Sequence, residues 1–66
     1  MLNNFSSKLE YYRKSNNLSI DELASKTDLS VSYISLLETG KRKNPSLDTL
    51  DKFAEIFKID VVEFFK

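Results

Sequence analysis

Hydrophobic residues recur at helical spacing along almost the whole chain, in blocks separated by short polar stretches. Phe5, Leu9 and Tyr12 fall at i, i+4 and i+7, one face of a first helix. Ser15-Asn16-Asn17 breaks that pattern. Ser19 and Glu22 have capping-box spacing, and Leu18 and Leu23 sit at the two staple positions around them. A second helix opens there, with Ile20, Leu23 and Ala24 on its inner face. Thr27-Asp28 interrupts it. Ser30 is the next cap, with Leu29 and Ile34 at staple positions. The third helix runs to about Thr39 and stops at Gly40, the only glycine, where a left-handed residue is expected. Ile34 and Leu37 form its inner face.

Lys41 to Pro45 reads as a loop. Ser46 caps a fourth helix, and Asp48 in its first turn suits the helix dipole. Leu47, Leu50, Phe53, Ala54 and Phe57 make its predicted apolar face. Asp60 and Glu63 open a last short helix, with Ile59 and Phe64 at staple spacing. The pattern predicts an all-α fold of five short helices in one domain over residues 1–66, with no strand. Helices two and three are joined by very few residues, and the small Ala24 faces inward on the first of them. That is the helix-turn-helix arrangement, with its core at about 19–39. Asp28 falls in the tight turn, where a left-handed backbone is often needed and Asp tolerates it less well than Gly.

Composition narrows the chemistry. The chain of 66 residues has no Cys and no His, which excludes thiolate, imidazole and conventional zinc-site chemistry. A single glycine excludes a Gly-rich phosphate loop. No apolar run exceeds two residues, so neither a membrane span nor a signal-peptide core is present. No cofactor, metal or membrane partner is indicated, and a domain this small offers little pocket for an enzyme. The net charge is zero, which weighs against a nucleic-acid binder. The charge is unevenly spread, however. Residues 1–46 hold seven Lys/Arg and five Asp/Glu, and residues 47–66 hold three and five. One half is basic and the other acidic.

Four stretches resemble the Cro/cI-type (XRE) helix-turn-helix domains of bacterial and phage repressors. They are Leu9-x-x-Tyr12-Arg13, Leu18-Ser19-x-x-Glu22-Leu23-Ala24, Leu29-Ser30-x-Ser32-Tyr33-Ile34-Ser35-x-x-Glu38-x-Gly40 and Asn44-Pro45-Ser46-Leu47-x-x-Leu50. Together they span nearly the whole chain, and the Ser32-Tyr33 and Asn44-Pro45-Ser46 wording is similar to SinR-type repressors. The resemblance implies a lambda-repressor-like fold. Three positions depart from the family pattern. Asp28 and Lys58 stand where glycine or a glycine-like residue is usual. Ile20 stands where a glutamine commonly touches the DNA backbone.

On this reading the third helix lies in the major groove. Val31, Ser32, Tyr33, Ser35 and Leu36 are the base-contact candidates. Ser bonds several bases, and Val31 or Leu36 can pack on a thymine methyl. No Arg, Asn or Gln lies on that face, so the strong bidentate pairings are absent and DNA shape must contribute. Small serines on a helix are by themselves ordinary solvated surface. Lys41-Arg42-Lys43-Asn44 is the one dense basic run, ordinarily a solvated loop and here a candidate phosphate clamp. Ser19 and Ser30, at helix N-termini, are further phosphate candidates. The resemblance implies that Arg13 and Glu38 form a structural ion pair. Val62 and Phe65, expected to stay partly exposed beside a buried Phe64, are the homodimer candidates.

The expected function is sequence-specific DNA binding as a cytoplasmic transcriptional repressor, acting as a homodimer on a two-fold-symmetric operator in double-stranded DNA. A protein-interaction module that keeps the same fold is the alternative, favoured by the zero net charge and the weakly polar third helix. The residues identify no protein antagonist. They fit either a complete small protein or the DNA-binding domain of a longer regulator.

Overall fold

The computed structural model describes Leu2 and residues 4–66. It comprises α1 (Phe5–Ser15), α2 (Ile20–Thr27), α3 (Val31–Thr39), α4 (Leu47–Phe57) and a 3-10 helix at Val61–Phe65. Among the described residues there is no strand. The all-helical expectation holds, but the chain forms four α-helices, not five. Five residues are too few to repay an α-helical nucleus, and the tighter 3-10 turn satisfies a short segment's donors sooner. The Glu63 N–H accordingly bonds the Asp60 carbonyl at 2.9 Å, while the Asp60 carboxylate accepts from the Val62 N–H at 3.0 Å. Lys8 on α1 reaches across and donates to the carbonyls of Glu63, at 3.1 Å, and Lys66.

The starts of α2, α3 and α4 follow from serine caps. Ser19 Oγ accepts from the Glu22 N–H at 3.0 Å, and the Glu22 carboxylate accepts from the Ser19 N–H at 2.8 Å. The Ser19 backbone N–H bonded to it, with the Ser19 hydroxyl alongside, holds the Glu22 carboxyl below the ordinary glutamate range. Ser30 Oγ accepts from Tyr33 N–H at 3.0 Å and Ser46 Oγ from Thr49 N–H at 3.1 Å. The helix ends share another device. Asn17, Asp28 and Lys58 adopt left-handed backbone at φ 57°, 61° and 58°. In each case the next N–H turns back to the last helical turn: Leu18 to Arg13, Leu29 to Ala24 and Ile59 to Ala54, at 3.0–3.1 Å. Gly40, at φ 80°, ends α3. So both non-glycine departures from the family pattern sit in backbone that favours glycine.

Helix α1 packs on α3 and the 3-10 helix, α2 on α3 and α4, and α4 on the 3-10 helix. The core is Phe5, Leu9, Leu23, Ala24, Ile34, Leu37, Leu50, Phe53, Ala54, Phe57 and Phe64. Phe5 meets Phe64 edge-on at 5.3 Å between centroids, and Tyr12 stacks on Phe57 at 5.8 Å. Two positions depart from the periodicity. Leu47 is 62% exposed, because the buried face of α4 is centred further round. Thr49 occupies the far flank of that face, leaving Leu47 beyond the near one. Thr27 belongs to α2 and is buried. Its hydroxyl donates to the Leu23 carbonyl at 2.7 Å, which makes the burial tolerable.

One side chain also ties α3 to α1 across the core. Arg13 Nε donates to Glu38 Oε2 at 2.7 Å, Nη2 to Oε1 at 3.1 Å, and Nη1 to the Leu18 carbonyl at 2.8 Å. The two side chains are only 11% and 7% exposed. The bonded carboxylate pushes the Arg13 guanidinium further above its already high value.

Candidate nucleic-acid interface

Burying Ile34 and Leu37 turns the opposite side of α3 outward. Val31 and Ser32 are exposed, and Tyr33, Ser35 and Leu36 are half-buried. The five base-contact candidates thus differ. Val31 and Ser32 project freely at the start of the helix, while Tyr33 also packs against the edge of the core.

The two serine-capped N-termini also differ. The first turn of α2 carries Asp21 and Glu22, and the Ser19 N–H is already taken by Glu22. These carboxylates satisfy the helix dipole and repel a further anion. The first turn of α3 carries no acid. Its Tyr33 N–H is taken by Ser30 Oγ, and Ser30, accepting through oxygen, keeps its own proton to donate. The α3 terminus is therefore the better anion site of the two.

Lys41, Arg42, Lys43 and Asn44 are all exposed in the turn after α3. Among the described residues none of the three cations pairs with a carboxylate. The turn is ordered by backbone: Arg42 N–H bonds the Leu36 carbonyl at 3.1 Å, and Asn44 is left-handed at φ 56°. The Arg42 guanidinium carbon lies 5.3 Å from the centre of the Tyr33 ring. Sequence spacing gives no sign of that contact, since the partners belong to a helix and a separate turn.

Val62 and Phe65 are 46% and 37% exposed. Phe65 lines a shallow apolar groove of about 260 Å³ with Leu2, Asn44, Pro45, Leu47 and Leu50. Leu47, assigned to the core by its position in the pattern, belongs to this surface. Among the described residues no helix is long and apolar enough to cross a membrane.

The helix-turn-helix family profile matches residues 9–64. The transcriptional regulator SlrR of Bacillus subtilis (strain 168) is 35% identical over 57 residues, covering 86% of this chain and 38% of SlrR. SinR of the same organism is 33% identical over 54 residues, covering 82% of this chain and 49% of SinR. The chain thus spans half or less of these curated relatives. A crystal structure of SinR, the master regulator for biofilm formation, in complex with DNA superposes with a TM-score of 0.89 at 29% identity, covering 94% of this chain and 98% of that one. The restriction-modification controller protein C.AhdI from Aeromonas hydrophila gives 0.85 at 34% identity, covering 94% and 92%. With the α2–α3 pair in place and the profile spanning almost all of it, the chain belongs to the helix-turn-helix family of DNA-binding transcriptional regulators, in its XRE-type branch.

Proposed function

We propose that the protein is a sequence-specific transcriptional repressor that binds double-stranded DNA through α3, without a cofactor, in the cytoplasm. The observation that carries this reading is the junction of a carboxylate-free helix N-terminus, bearing exposed Val31 and Ser32, with three carboxylate-free cations at Lys41–Lys43. In the groove, Val31, Ser32, Ser35 and Leu36 meet base edges. Ser30, the α3 amides and the Lys41–Asn44 turn hold phosphates. Occupation of the site is enough to block transcription, so no chemistry is required.

The operator on this reading is two-fold symmetric. The molecule measures 27 × 25 × 20 Å, less than the ~34 Å separating successive major grooves on one side of the duplex. One copy therefore serves one half-site. Val62 and Phe65, the latter sharing its groove with Leu47, supply the apolar contact between two copies.

Selection of bound sequences from a random duplex pool, followed by a salt titration, tests the proposal. A paired consensus whose affinity falls steeply with salt is expected, because phosphate contacts release counterions. Recovery of no consensus and a flat salt response would replace this reading with that of a protein-interaction module.

A further inference from the structure

We propose that Tyr33 serves DNA binding by positioning Arg42, and does not itself read a base. This rests on the DNA-binding reading and assigns Tyr33 a different role within it. Two observations carry the inference. The Tyr33 ring is half-buried and packed against the core, so it is a fixed surface. The Arg42 guanidinium lies over that ring at 5.3 Å, while its backbone N–H is bonded to Leu36 on the same helix.

An exposed arginine ordinarily samples many rotamers, and freezing them on binding costs affinity. A ring face attracts the cation without consuming its N–H donors, as a carboxylate would. Arg42 is therefore held beside the recognition helix with its fork free for a phosphate. Lys41 and Lys43, with no such platform, act as looser charges. The same contact occupies a face of Tyr33 that a base reader would need. Phenylalanine offers an equivalent face, so the hydroxyl is dispensable in this role.

The test titrates the unaltered chain, Tyr33→Phe, Tyr33→Leu, Arg42→Gln and Tyr33→Leu/Arg42→Gln onto two duplexes, one recovered from the random pool and one unselected. Tyr33→Phe should bind like the unaltered chain. Tyr33→Leu should weaken binding about 2–5-fold on both duplexes, the size of an exposed contact of this class. Arg42→Gln should lower the salt slope by about one. Adding Tyr33→Leu to Arg42→Gln should cost nothing further. If Tyr33→Leu melts early, Tyr33→Met keeps apolar bulk against the core and replaces it. A Tyr33→Phe loss as large as that of Tyr33→Leu overturns the inference, as does a Tyr33→Leu loss that persists without Arg42 or alters sequence preference. If the unaltered chain shows no salt-dependent binding to either duplex, the DNA-binding reading fails and takes this inference with it. Binding with additive losses overturns the inference alone.

Discussion

Arg13 grips both carboxylate oxygens of Glu38, at 2.7 and 3.1 Å, and so ties α3 to α1 beside their shared apolar core. Removing one partner leaves the other charge largely buried without compensation. Arg13→Ala or Glu38→Ala should each destabilise the domain by about 3 kcal/mol, visible as loss of the cooperative melt at ordinary temperature. Replacing both by Met and Leu should restore much of the stability, since no lone charge then remains.

The Glu22 carboxylate accepts from the Ser19 N–H, and that bond, with the Ser19 hydroxyl beside it, holds its carboxyl below the ordinary glutamate range. A carboxyl whose folded value lies below its unfolded value stabilises fully above the ordinary glutamate value of about 4.3, and that contribution is lost as pH falls through the folded value. Glu22→Gln keeps a capping partner but cannot titrate. Its thermal stability should depend less on pH in the acid range than that of the unaltered chain, while the two agree more closely near neutrality. Superimposable acid profiles would remove Glu22 from the account.

Lys58 ends α4 in left-handed backbone that costs a side chain about 1–2 kcal/mol. Part of that gain is offset by the extra freedom of glycine in the unfolded chain. Lys58→Gly should therefore stabilise by about 0.5–1 kcal/mol, a rise in Tm of several degrees. Gly40→Ala should do the reverse at the end of α3. An added Cβ there meets only Ser6 Oγ at 3.8 Å, so the loss is conformational, about 1 kcal/mol, and not a clash.

Lys41, Arg42 and Lys43 form a clamp for backbone phosphates in the proposed complex. Changing all three to Ala should weaken binding about equally on selected and random DNA, and lower the salt slope by about one for each phosphate no longer neutralised. Stability should change little, since all three are exposed. Normal binding by the triple variant at physiological salt would remove the clamp.

Val62→Asp with Phe65→Asp places charge on the proposed contact between copies. The monomer should stay folded, because Phe64 is fully buried and fills the core from the same turn. Titration of a duplex carrying two half-sites should change from cooperative to independent occupation. Cooperativity equal to that of the unaltered chain would place the contact elsewhere.

The features legible in the sequence are those governed by local rules. Ser19, Ser30, Ser46 and Gly40 begin and end helices where capping chemistry put them, because a cap involves residues only a few positions apart. Periodicity found the buried Phe53 and Phe57 but misassigned Leu47. The buried face of a helix is centred by what it packs against, which a single-helix pattern cannot register. The Arg13–Glu38 pair came from the family resemblance, since nothing in the spacing joins residues on separate helices. The Tyr33–Arg42 contact was invisible for the same reason. The last turn read as an α-helix because capping and staple spacing do not distinguish α from 3-10 in five residues.

The edge-on contact between Phe5 and Phe64 joins opposite ends of the described chain, and both rings sit in the core that also receives Ile34 and Leu37 from α3. The α2–α3 pair has no apolar surface of its own large enough to keep those residues from water once α1 and the 3-10 helix separate. Opening α3 therefore means opening the whole domain. Amide hydrogens within α3 should exchange with deuterium at the rate set by global unfolding, as slowly as those of α4, although α3 faces solvent along its DNA side.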